Sequence, residues 1–173
     1  MRKIILNLCT SLDAFIEGAN GEIDWCFTDQ DYAMTVFLQR VDTIFFGRKS
    51  YEVLMRTFPY GFSDKKKVVF SRTIDKKTPN IRIISENLEQ EVQKILRETG
   101  KDIWLFGGSN LIAQMLNLNL VDEMMIAVHP IILGDGIPLF VNIKERKNLK
   151  LLDTKIYSTG LVQLFYEVEK NEK

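Results

Sequence analysis

DIWLFGGSNLIAQML, residues 102–116, is the stretch of the chain that decides its fold. Its first part, 103–106, is a short apolar run of the residue types that favour buried strands. Gly107 and Gly108 follow, and a backbone without β-carbons can take a positive φ or let a ligand come close. Ser109 is a good helix N-cap, and apolar residues then recur at helical spacing. The stretch predicts a strand, a glycine break and an amphipathic helix.

This arrangement has two interpretations. The free N–H groups and the positive dipole end of the helix would face the space beyond the sheet edge, which suits a phosphate group. Alternatively, Gly107 and Gly108 form a tight strand-to-helix turn that binds nothing, because a pair of glycines alone is a weak signal.

Composition excludes several classes of protein. The 173 residues suit one domain over 1–173, and the 23 basic residues balance the 23 acidic ones. A chain with no net charge has no overall field that favours nucleic acid or an anionic membrane. No apolar run approaches the length of a membrane span, and we expect a cytoplasmic protein.

The metal-binding and nucleophilic residue types are scarce. Cys9 and Cys26 make neither a disulfide framework nor a zinc site. His129 is the only histidine, and it lies in an apolar strand pattern before Pro130. We interpret it as a packed or half-exposed strand residue rather than a catalyst, since no serine elbow accompanies it.

Strands and helices alternate along the chain without a linker. This pattern predicts an open, mostly parallel sheet of about eight strands with helices on both faces. One helix is expected to open at Thr28, with Asp31 completing a capping box. A second is expected over 87–99, stopped by Gly100. The C-terminal part predicts an antiparallel hairpin of 149–156 with 161–168.

Three predicted strands end in residues that suit a phosphorylated ligand. The ends read FGRKS at 46–50, FSR at 70–72 and FGGS at 106–109. In open α/β sheets, ligands bind beyond the carboxyl ends of the strands. Three such ends on one sheet indicate a surface for a multiply phosphorylated ligand.

These motifs carry a family resemblance. The chain resembles the dihydrofolate-reductase-like superfamily, and most of all the reductase domain of riboflavin-biosynthesis deaminase/reductases. The resemblance implies a three-layer α/β/α fold and an NADPH-dependent reductase, most like 5-amino-6-(5-phosphoribosylamino)uracil reductase, commonly a homodimer that uses no metal. The matching segments, in the family's order, are 11–13 (SLD), 46–52 (FGRKSYE), 70–72 (FSR), 106–108 (FGG) and 133–136 (LGDG).

The resemblance also implies roles for the residues at the strand ends. Arginine suits a 2′-phosphate because its guanidinium donates bidentately and keeps its charge. Ser71 would join Arg48 and Arg72 at the 2′-phosphate, and the other residues would wrap the pyrophosphate and the nicotinamide ribose. The cofactor-binding residues expected are Gly47, Arg48, Ser50, Ser71, Arg72, Gly107, Gly108, Ser109, Asn110 and Leu111.

A reductase of this kind also needs a proton for the acceptor. Asp31 is one candidate, with a simple capping role as the alternative, and Asp13 is the other. If Asp31 faces a cleft beside Trp25, desolvation should raise its pKa. Trp25 and Phe27 are the candidates for stacking on a flat substrate, although they also suit a core.

Some family features are missing. Riboflavin-type reductases often carry Gly and a basic residue after Ser-Leu-Asp, where this chain has Ala14 and Phe15. No cationic cluster is evident for a ribose phosphate, and the zinc deaminase half is absent. The alternatives are therefore a dihydrofolate or other pterin reductase, whose Pro-Trp loop the chain lacks, and a non-catalytic NADPH-binding protein.

Overall fold

The computed structural model describes residues 1–75 and 78–170. Its strands are β1 Ile4–Thr10, β2 Phe15–Glu17, β3 Val41–Gly47, β4 Lys66–Phe70, β5 Ile81–Ile84, β6 Asp102–Gly107, β7 Glu123–Val128, β8 Ile137–Pro138, β9 Leu149–Ile156 and β10 Val162–Val168. Its helices are α1 Met34–Arg40, α2 Arg48–Thr57, α3 Leu88–Arg97 and α4 Ser109–Asn117. None of the described helices is long and apolar enough to cross a membrane.

Eight strands form one mixed sheet in the order β5-β4-β3-β6-β1-β7-β10-β9. The pairings from β5 to β7 are parallel, and β10 runs antiparallel to both of its neighbours. The expected sheet, with about eight strands and a C-terminal antiparallel hairpin, is confirmed. A second, two-stranded sheet pairs β2 with β8.

Alternate residues of the central strands face two apolar layers. Ile4 and Leu6 of β1 pack with residues of α3 and α4 on one face. Ile5 packs on the other face with residues of α1 and α2, among them Phe37 and Tyr51. This alternation is the period-two pattern of a strand that is buried on both sides. The expected helices on both faces are therefore present.

Two predicted helix boundaries are wrong. The helix expected to open at Thr28 begins at Met34, after Tyr32 and Ala33 adopt positive φ angles of 45° and 60°. Left-handed residues break a helix, so the capping box at Thr28 does not form. The helix expected over 87–99 ends at Arg97, where the Glu98 N–H bonds to the Ile95 carbonyl. Gly100 is therefore not its stop.

The last two strands form the expected hairpin at one edge of the sheet. β10 is bonded on both sides, whereas β9 pairs only with β10 among the described strands. Every residue of β9 is exposed. An edge strand of this length leaves backbone groups free to pair with another chain.

Candidate functional site

The three strand ends singled out by sequence lie together. β4, β3 and β6 are neighbours in the sheet, and all three run in the same direction. A β-carbon built on Gly47 would lie 3.4 Å from the Gly107 carbonyl oxygen. One built on Gly108 would lie 3.4 Å from the Ser50 hydroxyl oxygen. The start of α2 and the glycine break after β6 thus approach each other closely.

A cavity of about 1000 Å³ opens in front of these strand ends. Its walls include nine of the ten residues expected to bind a cofactor, and Gly107, the tenth, immediately precedes Gly108 in the sequence. The nine are Gly47, Arg48, Ser50, Ser71, Arg72, Gly108, Ser109, Asn110 and Leu111.

Sequence reasoning missed two parts of the cavity wall. The small sheet contributes Ile16 and Glu17 of β2 and Ile137 of β8. Residues 85–88, which follow β5, complete the opposite side. The second part carried a signal, because a strand followed by Ser and Asn is another polar strand end. The first carried none, since β2 and β8 are too short to show a periodic pattern.

Two helices begin at the cavity with free amide groups. Neither α2 nor α4 has a side-chain hydrogen bond capping its N-terminus. The expected N-cap, Ser109, is instead the first residue of α4, and its hydroxyl donates to the Pro138 carbonyl oxygen. Free N–H groups and the helix dipole both favour an anion at such a position. The two helix starts can therefore hold two phosphate groups of one ligand.

The two arginines expected at a 2′-phosphate differ in their surroundings. The Arg48 guanidinium is 2.8 Å from the Glu52 carboxylate in an exposed ion pair. Arg72 is exposed and has no ion pair or hydrogen bond within residues 1–75 and 78–170. The Ser71 hydroxyl accepts the N–H groups of Thr73 and Ile74, at 3.1 and 3.0 Å, which folds the chain back after β4. Arg72 is the more available cation.

Asp13 binds a loop of its own chain. Its two carboxylate oxygens accept the N–H groups of Leu133 and Gly134, at 3.1 and 2.8 Å. The hydrogen bond with Ser11, followed by these backbone bonds, holds the pKa of the Asp13 carboxyl below its usual range. A carboxylate that is stabilised in its ionised form is a poor proton donor.

Asp31 caps α1 in an unexpected way. One carboxylate oxygen accepts the Thr35 hydroxyl at 2.6 Å and the Thr35 N–H at 2.9 Å. These two bonds lower the pKa of the exposed Asp31 carboxyl. The condition for a raised pKa, a carboxylate that faces a cleft beside Trp25, is therefore not met, because the side chain is exposed and bonded to the end of the helix.

Trp25 and Phe27 pack around the single histidine. Their ring centroids lie 5.4 and 4.9 Å from that of His129, and neither residue lines the cavity. His129 is almost fully buried, and its Nε2 accepts the Phe27 N–H at 3.0 Å. Its Nδ1 lies 3.2 Å from the Ala127 carbonyl oxygen, so the neutral ring carries its proton there. Burial lowers the pKa of His129.

His129 thereby ties the segment 18–33 to the end of β7. The thiols of Cys9 and Cys26 contact each other and tie the same segment to β1. The interpretation of His129 as a packed residue is correct, but its anchoring role was not visible in the sequence. No group of three potential metal ligands occurs in the described part of the chain.

The sheet order, the flanking helices and the cavity at the strand ends define an α/β protein of the dihydrofolate-reductase-like fold. Dihydrofolate reductase from Enterococcus faecalis, complexed with NADP(H), superposes with a TM-score of 0.72 at 14% identity and 97% coverage of both chains. A putative riboflavin biosynthesis protein from Shewanella sp. PV-4 gives a TM-score of 0.85 at 23% identity, covering 97% of this chain and 99% of the other.

The family is shown by sequence. Residues 2–163 match the family described as RibD C-terminal domain. The uncharacterized protein YyaP of Bacillus subtilis (strain 168) is 44% identical over 177 residues, which cover 95% of this chain and 94% of YyaP. The chain belongs to the RibD C-terminal domain family, as the resemblance implied.

Proposed function

We propose that the protein is an NADPH-dependent reductase that transfers a hydride to a small heterocyclic or ribosyl substrate. The family's uracil derivative, 5-amino-6-(5-phosphoribosylamino)uracil, is the reference substrate. The observation that carries the proposal is the 1000 Å³ cavity at three parallel strand ends, with two uncapped helix starts and a free arginine in its wall. NADPH needs both kinds of group, amides for its pyrophosphate and a cation for its 2′-phosphate.

The described residues fit the cofactor part by part. The amides at the starts of α2 and α4 would hold the pyrophosphate, and the Ser50 hydroxyl adds a donor between them. Gly47 and Gly108 keep this passage open, because a side chain at either position would project into it. Arg72 would pair with the 2′-phosphate. NADPH supplies the hydride when bound, so the protein has to orient the two reactants and exclude water.

In this proposal, neither carboxylate supplies the proton that the substrate takes up. Asp31 and Asp13 remain the acidic residues to test, but hydrogen bonds keep both ionised. We therefore assign Asp31 to the helix end and Asp13 to the loop at 133–134, and we infer that water delivers the proton. An acceptor with a basic nitrogen could take it up without a side-chain acid.

The cofactor assignment is tested by Arg72→Ala. Loss of a charge-assisted contact costs about 1.5–3 kcal/mol, so the NADPH dissociation constant should rise roughly ten- to a hundredfold. The NADH dissociation constant should not change, because NADH has no 2′-phosphate. Both constants can be measured by fluorescence titration. Arg97→Ala removes an exposed arginine on α3, away from the cavity, and is the matched control. Equal weakening of both cofactors would show that Arg72 does not select NADPH.

Turnover separates the proposed reductase from its two alternatives. The loss of NADPH absorbance is followed with uracil derivatives, dihydropterins and dihydrofolate in turn. Oxidation with uracil derivatives supports the proposal, and oxidation with dihydrofolate alone supports a pterin reductase. Tight NADPH binding with no oxidation by any of these substrates would favour a non-catalytic binding protein.

We also propose a homodimer formed through β9. Four apolar side chains of this strand are 40% to 81% exposed, and its outer edge is unpaired among the described strands. A second copy would cover both the apolar side chains and the free backbone groups. The exposed residues are Leu149, Leu151, Leu152 and Ile156.

A further inference from the structure

Cys9 and Cys26 are the two cysteines of the chain, and the fold brings their thiols into contact. Cys9 lies near the end of β1, whereas Cys26 lies in the segment 18–33, which contains no helix or strand. Both thiols are free, and both residues are partly exposed, so a small reagent can reach them. The proposed hydride transfer uses neither thiol. Two free and accessible thiols in contact are the starting arrangement for a disulfide.

The backbone around the two cysteines explains why they meet. The His129 N–H donates to the Thr10 carbonyl oxygen at 2.8 Å, and the Phe27 N–H donates to the His129 Nε2 at 3.0 Å. Cys9 immediately precedes Thr10, and Cys26 immediately precedes Phe27. Each cysteine is therefore next to a residue that is bonded to the same histidine. The two chain segments are held together independently of the thiols.

The side chain of Cys9 points to the face of the sheet that this segment covers. Side chains of a strand alternate between faces, and Asn7, two residues earlier on β1, contacts the Met34 sulfur of α1. Ala127 is the register partner of Cys9 on β7. Because its side chain is a single methyl group, there is room for a second sulfur beside Cys9.

The contact makes the two thiols chemically unequal. The side-chain hydrogen bond with Cys26 lowers the pKa of the Cys9 thiol, whereas the same bond, followed by burial, raises the pKa of Cys26. The thiolate is the nucleophile in thiol–disulfide exchange, so Cys9 attacks first. Once the Cys9 sulfur is in a mixed disulfide, it is no longer charged. The main cause that raises the pKa of Cys26 is then removed, and Cys26 can react in turn.

The segment that carries Cys26 borders the cofactor cavity. It continues directly from β2, whose Ile16 and Glu17 line the cavity. It is also held at the carboxyl end of β1, and β1 is the neighbour of β6 and its glycine break. A covalent bond from Cys26 to β1 would therefore attach a segment beside the site to a central strand of the sheet.

We propose that Cys9 and Cys26 form a reversible disulfide by exchange with a low-molecular-weight disulfide, and that this bond fixes the segment 18–33 to the sheet. The Cys9 thiolate attacks one sulfur of the small disulfide, whose S–S bond breaks and releases one small thiol. The Cys26 sulfur then attacks the Cys9 sulfur of the mixed disulfide and releases the second small thiol. Two electrons pass from the cysteine pair to the small disulfide, and the two cysteine protons end on the released thiols. The inference does not depend on the proposed reductase.

Equilibration with reduced glutathione and glutathione disulfide tests the inference on the full chain. Samples are quenched with acid, and the oxidised fraction is measured by mass spectrometry, for the native protein and for the protein in concentrated urea. At half oxidation, the ratio of squared glutathione to glutathione disulfide should be about a hundredfold higher for the native protein. This factor corresponds to the closure of a ring of the size of 9–26, which the fold has already brought about. A native ratio no higher than the ratio in urea would overturn the inference.

The melting temperature measures whether the bond fixes the segment. The oxidised protein should melt about 6–12 °C above the reduced protein, because the same ring closure then restrains the unfolded chain. Dithiothreitol should reverse the difference. Equal melting temperatures would show that the bond strains the fold as much as it restrains the unfolded chain, and the inference would be wrong.

Two variants and a peptide map identify the bond. Cys26→Ser and Cys26→Ala should both stop at the mixed disulfide, with one glutathione on Cys9, and neither should gain the higher melting temperature of the oxidised protein. A glutamate-specific protease cleaves after Glu22, between the two cysteines. After this digestion of the oxidised protein, the peptides of Cys9 and Cys26 should stay joined until a reductant is added. Disulfides that join two copies of the chain instead would overturn the inference.

Discussion

Gly136→Ala should disrupt the small sheet that closes one side of the cavity. Gly136 has a φ of 150°, and a β-carbon built on it would lie 2.1 Å from the Glu17 carbonyl oxygen. That oxygen belongs to the backbone of β2, so no side chain can rotate away. β2 and β8 must separate, since they pair at Glu17 and Ile137. Backbone strain of about 1 kcal/mol, together with the lost pairing and burial, makes a total of about 3 kcal/mol.

Gly134→Ala is the matched control in the same turn. Gly134 also has a positive φ, 78°, but a β-carbon there would meet nothing within 4 Å. Only the backbone strain of about 1 kcal/mol applies. For a chain of this size, 1 kcal/mol shifts the melting temperature by about 2–4 °C. Thermal unfolding should therefore show losses of about 6–12 °C for Gly136→Ala and 2–4 °C for Gly134→Ala. Equal losses would refute the role assigned to the backbone clash.

Three further predictions concern acid stability, the end of α1 and the dimer. Because burial lowers the pKa of His129, the unfolded chain binds more protons than the folded one below about pH 6.5. The free energy of unfolding should therefore fall as the pH decreases, and urea unfolding should show a smaller fall for His129→Gln. Asp31→Asn should keep turnover and lower the free energy of unfolding by less than about 1 kcal/mol, since an amide oxygen still accepts from Thr35; a loss of turnover of about a hundredfold would restore Asp31 as the acid. Ile156→Lys should convert the dimer into a monomer by light scattering, whereas a monomeric native protein would contradict the dimer itself.

The sheet could be predicted from the sequence because its signals are local. The run at 103–106 and its glycine break form β6 and the start of α4, as expected. The three strand ends predicted from the sequence form much of the cavity wall. The family resemblance then assigned roles to residues whose types alone left a turn and a ligand site equally possible.

The loop before α1 could not be predicted, because distant contacts determine it. Thr28 and Asp31 have the spacing of a capping box, yet the chain at Phe27 is bonded to His129, 102 positions away. This bond and the positive φ angles of Tyr32 and Ala33 delay the helix to Met34. A local propensity of about 1 kcal/mol does not compete with several tertiary contacts.

The distribution of charge along the sheet edge favours one orientation of the proposed ligand. Four cations, Arg48, Lys49, Arg56 and Arg72, line the cavity on the side of β3 and β4 together with two carboxylates, Glu52 and Glu86. The charged residues of the segment 4–39, around β1, are all acidic. A ligand with phosphates at one end and an uncharged ring at the other is therefore oriented by the field before any contact forms. We infer that its phosphates go to β4 and its ring goes past Gly108 towards β1.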